Sequence, residues 1–246
     1  MNHRNWQTIF VLFLLAATLV LYLIYYIVIR DVQQTLLSLV SNLASVTVYV
    51  LLVTLTIDRV LRARERQSLY NKLNMVIGAF FSEVGTPLLK SFFDFDLSLE
   101  QNRSHFILPS DCSARDLTNA RRHMEKYDCR IVSQRGNLEE LRAFLVAKRD
   151  FLLRLLENPN LLEHESFTEL LWAVLHLAEE LSYRDDVKQL PESDYAHLSS
   201  DIKRAYTLLL REWLGYMQHL RSDYPYLFSL ALRMNPFDPN ASPEVR

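Results

Sequence analysis

Glycine is scarce in this 246-residue chain: Gly78, Gly85, Gly136 and Gly215 are all it has. So few suit helices joined by short turns, and leave little material for phosphate-cradling loops. Cysteine is scarcer. Cys112 and Cys129 form neither a CxxC pair nor a zinc spacing. Gly-x-Ser-x-Gly, Walker and dinucleotide patterns are absent. Charge is missing from two long stretches, residues 6–29 and 32–57.

Those two stretches, of 24 and 26 residues, are the first strong feature present. At about 1.5 Å per residue each is long enough for a hydrocarbon layer of about 30 Å. The chain is therefore expected to open with a transmembrane hairpin over 1–57, with spans at about 6–29 and 34–57. A cleaved signal peptide fits the first stretch poorly, because its apolar part is too long and no small-x-small site closes it. Arg30 and Asp31 leave room only for a tight connection. Trp6 marks one end of the first span and Tyr22, Tyr25 and Tyr26 the other, where amphipathic rings favour the headgroup level.

Basic residues set the orientation. Arg4 precedes the first span, and Arg59, Arg62, Arg64, Arg66 and Lys72 follow the second, whereas the connection offers only Arg30 beside Asp31. Both termini are thus expected in the cytoplasm, making this a multi-pass protein of the cell's inner (cytoplasmic) membrane. The two cysteines would then be reduced thiols. The collar Arg59, Arg62, Arg64 and Arg66 is expected to meet anionic lipid headgroups, at about 1 kcal/mol per basic residue.

A polar stripe runs along the second span. At about 100° per residue, Ser38, Ser41, Asn42, Ser45, Tyr49 and Thr56 share one arc. Small hydroxyl residues and an amide permit close helix packing, against Ala16, Ala17 and Thr18 or another copy. The competing reading of Ser38, Asn42, Ser45 and Tyr49 is a pore lining in a homo-oligomer. The stripe holds no ionisable group, which weakens an ion or proton pathway.

Past residue 72 the chain has 20 basic and 26 acidic side chains. An acidic body lacks the concentrated positive face that phosphate binding needs, so no nucleic-acid partner is expected. The pattern there stays helical. Residues 58–85 read as a basic juxtamembrane helix with an apolar seam of Leu69, Leu73, Val76, Phe80 and Val84. Gly85 should end it, and Thr86-Pro87 should start the next helix. Residues 86–234 read as a cytoplasmic helical domain. Within it, 94–112 is a connection carrying buried phenylalanines, Asn137 and Glu140 open a helix, and a long helix runs from about Pro191 to Ser222. Asp201 and Arg204 are expected to face away from that helix's apolar stripe. Residues 235–246 are expected to form a flexible tail. The fold class is all-α: a two-helix transmembrane hairpin plus a cytoplasmic helical bundle.

Residues 164–181, "HESFTELLWAVLHLAEEL", concentrate the titratable groups. On a helical wheel Phe167, Leu170, Leu171, Val174, Leu175, Leu177, Ala178 and Leu181 fill one side, and Glu165, Glu169, His176 and Glu180 lie opposite, beside Trp172 and Glu179. His176 and Glu180, one turn apart, are the candidate metal ligands. No HExxH or Glu-x-x-His occurs to complete a metalloprotease or di-iron pattern. The cluster points away from this helix's own core, so a solvated or contact face is the favoured reading. His197 and Asp201, four apart, read as a helix-surface pair, as do His219 and Asp223.

His164, Glu165, Thr168 and Leu170 resemble the phospho-acceptor box of histidine kinases. Glu169 stands where that box has proline, and no glycine-rich ATP-binding segment follows. "NMVIGAFFSEVGT" and the 164–181 stretch are similar to segments of uncharacterised prokaryotic two-span membrane proteins. That resemblance implies the architecture and no activity.

The residues assign no catalytic and no cofactor-binding group. The expected function is a non-enzymatic, membrane-anchored interaction or signalling module, homo-oligomeric and able to meet a cytoplasmic protein partner, with Trp172, Glu165 and Glu169 as the contact face. A homo-oligomeric, channel-like effector is the second reading, and a metal-dependent enzyme the third.

Overall fold

The computed structural model describes residues 3–159, 161 and 164–245, and leaves out the side chains of 3–12, 14–15, 29 and 65–72. Expectations for Trp6, Arg66, Leu69 and Lys72 therefore lie outside the described side chains. The fold is all-helical, with one isolated bridge between Asp96 and Ile131 among the described residues. The chain divides into two compact units, Met1–Arg66 and Gln67–Arg246. The division falls inside 58–85, which the sequence reading treated as a segment of its own.

In the first unit, α1 (His3–Ile29) turns through Arg30 and Asp31 into α2 (Val32–Phe80), whose residues from Gln67 onward belong to the second unit. Arg30 takes a left-handed φ of 52°, and its N–H donates to the Tyr26 carbonyl at 2.8 Å. Asp31 then caps α2 by accepting from the N–H groups of Gln33 and Gln34 at 2.8 and 3.2 Å. A left-handed stop followed directly by a carboxylate N-cap reverses the chain in two residues. Asn42 Nδ2 donates to the Tyr22 hydroxyl at 3.1 Å, so the two helices lie side by side at that level. Ser38, Ser45 and Thr56 donate to carbonyls of their own helix at 2.7–3.0 Å. These hydroxyls need no outside partner.

Among the described residues one stretch, Val32–Arg64, is long and apolar enough to cross a membrane, with mean hydropathy 2.1 and none of that apolar window buried within the protein. In α1 the apolar stretch Ala16–Val28 is shorter, among the described side chains.

In the second unit Leu73, Phe80 and Val84 are buried, as the seam predicts. Gly85 does not end the helix. Phe81–Gly85 forms a π turn that passes straight into α3 (Thr86–Phe93), and both Gly85 and Thr86 keep helical dihedrals. Pro87 explains the difference, because a proline in a helix lacks an N–H and crowds the carbonyl four residues back. Widening one turn to π geometry absorbs both defects without a break.

Residues 94–112 include the short α4 (Leu99–Asn102) and bury Phe95 and Phe106. Asp96 holds this segment to the 127–132 stretch. It accepts from the Tyr127 hydroxyl and from the N–H groups of Ser98 and Arg130. Burial, with that carboxylate alongside, pushes the Tyr127 phenol far above its usual range. Next, α5 (Ala114–Lys126) starts with a Ser113–Asp116 capping box. Helix α6 (Leu138–Leu156) starts at Asn137, whose side chain accepts from the Glu140 N–H at 3.1 Å. Three helices complete the unit: α7 (Glu165–Ser182), α8 (Glu192–Asp223) and α9 (Pro225–Arg233). α8 is the central element, packed by α3, α5, α7 and α9, with α6 against α7.

The start of the expected tail is core. Asn235 and Phe237 are buried, Asn235 Nδ2 donates to the Phe106 carbonyl at 2.9 Å, and its Oδ1 accepts from the Phe237 N–H at 3.0 Å. Polarity and proline content suggested disorder, but one aromatic ring and two side-chain hydrogen bonds are enough to anchor the segment.

Candidate functional site

The apolar arc of α7 is buried in full, from Phe167 to Leu181. His164 caps this helix, its Nδ1 accepting from the Phe167 N–H at 3.3 Å. That role accounts for the histidine of the kinase-like box. On the opposite side Glu165, Glu169 and Trp172 are exposed, Trp172 to 61 %.

His176 and Glu180 belong to the same exposed stripe, yet they do not simply face water. The C-terminal half of α7 lies beside the N-terminal part of α8, which presents His197 and Asp201. His176 Nε2 is 3.6 Å from Asp201 Oδ2 and 3.9 Å from Glu180 Oε1. His197 Nε2 is 3.2 Å from Asp201 Oδ2 and 3.5 Å from Glu180 Oε2. His176, Glu180 and His197 each bring a ligand atom within 4.8 Å of the others. An i, i+4 spacing puts two side chains on one helix face, and here two such pairs converge.

Asp201 departs from its expected outward position. Its side chain is 4 % exposed, and Oδ2 has no hydrogen-bond partner. Oδ1 has only a long contact, 3.6 Å, to Arg204. Packing of α7 over this end of α8 covers what α8 alone would leave in solvent. His219 pairs with Asp223 at 2.7 Å as the spacing predicts, but its side chain is 12 % exposed and its Nδ1 also lies 3.0 Å from Asn74 Nδ2, so it is not a simple surface pair.

Arg184 braces the edge of the cluster. It donates to Glu180 Oε2 at 2.8 Å and forks onto both oxygens of Asp194 at 2.8 and 2.6 Å. The Arg184 hydrogen bonds hold the Glu180 and Asp194 carboxyls below the usual carboxylate range. Both carboxyls bind protons more weakly folded than unfolded. Their stabilisation is therefore complete above the ordinary carboxylate pKa and drains away as pH falls through the folded values. Arg184→Ala is expected to remove about 1–2 kcal/mol at neutral pH, a charged hydrogen-bond value discounted for the partial exposure of both carboxylates. It should also flatten the loss of stability in mild acid. Chemical denaturation at neutral and mildly acidic pH checks both effects, and an unchanged acid limb would count against this origin.

Sequence reasoning reached His176 and Glu180 but took His197 and Asp201 as a separate surface pair. The repeated His-x-x-x-carboxylate spacing on consecutive helices was the available signal. It missed Asp96 and Asn235, whose roles depend on partners distant along the chain.

Residues 69–233 match the family described as "Uncharacterized protein MJ1433, C-terminal helical domain", and residues 2–61 match "MJ1433, N-terminal helical domain". The chain belongs to the MJ1433 family. It is 42 % identical over 238 residues to "Uncharacterized protein MJ1433" of Methanocaldococcus jannaschii, spanning 97 % of this chain and 96 % of that protein. No solved structure matches it. The two MJ1433 segments meet between residues 61 and 69, around the structural division at Arg66 and Gln67. The α7–α8 cluster lies wholly within the C-terminal helical domain of the family.

Proposed function

We propose that the chain is a non-enzymatic, membrane-anchored interaction module. In this reading α1 and α2 both cross the inner membrane as a hairpin, with both termini in the cytoplasm. The second unit then meets a protein partner or a second copy of the chain. The observation that carries the reading is the unburied apolar surface of Val32–Arg64. Side chains from Leu36 to Leu61 that would be buried in a soluble protein are open here, and lipid is the natural cover for them. Arg59, Arg62 and Arg64 follow at the end where anionic headgroups would lie, and they are exposed. The Asn42–Tyr22 hydrogen bond favours helix packing over a pore, because it satisfies the amide within the hairpin.

Trp172 supplies the contact. A tryptophan this exposed, flanked on its helix face by Glu165 and Glu169, suits burial in a partner's pocket. Trp172→Ala is expected to weaken that association about thirtyfold, the equivalent of about 2 kcal/mol, with the fold intact. Site-specific photo-crosslinking at Glu169 in membranes identifies the partner, and titration with wild type and variant gives the ratio. For topology, a phosphatase active only outside the cytoplasm is fused after Arg246 or inserted between Arg30 and Asp31. Activity from the second fusion alone is expected; activity from the first would overturn the orientation.

A further inference from the structure

The α7–α8 cluster has a property that neither a solvated helix face nor a docking surface requires. Asp201 is a buried carboxylate with an oxygen that no hydrogen bond satisfies, aimed between two imidazoles. A buried carboxylate oxygen without a hydrogen bond is among the more unfavourable features a fold can retain. Arg204 lies nearest the other oxygen, Oδ1, at 3.6 Å. Neither imidazole donates to Oδ2 in hydrogen-bond geometry, although both Nε2 atoms lie within 3.6 Å of it.

We propose that His176, Glu180, His197 and Asp201 bind one divalent d-block cation, zinc foremost, which clips α7 to α8. The donor set is the first reason. Two imidazoles with two carboxylates suit zinc and its neighbours, whereas magnesium and calcium select all-oxygen shells. Spacing is the second. With metal–ligand distances of about 2.1 Å, the edges of a tetrahedral shell are about 3.4 Å. His176, Glu180 and His197 each bring a ligand atom within 4.8 Å of the others. Asp201 stands outside that group although its Oδ2 is 3.2 and 3.6 Å from the two imidazoles, so the side chains must draw inward to close the shell.

The surroundings fit as well. The His176 and His197 side chains are 44 % and 50 % exposed, which leaves a path for the ion. Arg184 holds Glu180 from behind through Oε2 while Oε1 stays on the His176 side, as an outer-shell partner does for a ligating carboxylate. Each helix supplies one histidine and one carboxylate one turn apart. The ion would thus cross-link two helices that the nine residues from Tyr183 to Pro191 connect. His176 is also one turn from Trp172, so occupancy would stiffen the end of the proposed contact face. The site does not depend on that contact being made.

The test uses full-length protein in detergent, stripped with a chelator and titrated with cobalt(II), then zinc(II). Wild type is expected to bind one ion per chain, with the visible absorption of four-coordinate cobalt, bleached as zinc displaces it. Zinc should also raise the melting temperature. His197→Ala and Asp201→Asn are each expected to weaken zinc binding by more than about tenfold, while Asp150→Asn, at an exposed position on α6, binds as wild type. Asp201→Asn preserves side-chain shape, so it carries the test if circular dichroism shows His197→Ala unfolded. No binding by wild type, equal competition by magnesium, or unchanged affinity in Asp201→Asn would each overturn the assignment. Loss of the Trp172 contact with metal binding intact would sink only the interaction reading, and the reverse only the metal site.

Discussion

Replacing Phe237 with alanine is expected to lower the unfolding free energy of the second unit by about 3–5 kcal/mol, as for a large aromatic lost from a core. The ring is 0 % exposed. Its centroid lies 4.7 Å from Phe93, 4.9 Å from Phe106 and 5.1 Å from Trp213. It therefore joins α3, the 94–112 connection and α8 at one point. Removing it leaves a cavity that three separately anchored rings cannot collapse to fill. Asn235 sets the entry of this segment through its two hydrogen bonds, so Asn235→Ala should act in the same direction by a smaller amount. Denaturation followed by tryptophan fluorescence is well placed to read the change, since Trp213 borders the site. Val245→Ala, on an exposed side chain, is the control and should leave the midpoint where it was. If Phe237→Ala behaved like Val245→Ala, the packed placement of residues 235–237 would be wrong.

Alanine at Gly85 is expected to destabilise by about 3 kcal/mol, the upper end of overpacking. A Cβ there would sit 2.5 Å from Phe81 Cδ1 and 2.9 Å from Phe80 Cε1. Neither ring is free to retreat. Phe80 packs edge-on against Phe167 at 5.1 Å, and Phe81 stacks on Tyr216 at 4.9 Å. The glycine is thus required for close approach and not for backbone freedom, because its dihedrals are helical. Gly215 provides the opposite case on α8. Nothing lies within 4 Å of a Cβ added there, so Gly215→Ala should stabilise by about 0.5–1 kcal/mol through helix propensity and a stiffer unfolded chain. Two glycine-to-alanine exchanges with opposite signs are hard to obtain from any other arrangement. Paired melting curves settle the matter, and a destabilised Gly215→Ala would argue against the open surface of α8.

The helices that sequence periodicity placed well are those whose cues are local. Asn137 begins α6 because a short polar side chain reaches a backbone N–H within three residues. The core arc of α7 follows from the 3.6-residue repeat alone, and every residue assigned to it is buried. The expected break at Gly85 fails because a π turn absorbs Pro87 while Gly85 and Thr86 keep helical dihedrals, a local widening that the apolar repeat does not announce. Phe237 was unreadable for a related reason: a single anchoring ring leaves no period.

By itself, then, the order of residues determined the helical class, the uncharged stretches, the tight Arg30–Asp31 reversal and the exposed face bearing Glu165, Glu169 and Trp172. These depend on neighbours within a turn or two, which the chain carries in its own spacing. Only tertiary structure decided that Asp201 is buried, that His197 faces His176 and Glu180, and that Asn235 and Phe237 belong to the core. Each of these rests on contact between residues far apart in sequence, set by how α8 packs against its neighbours.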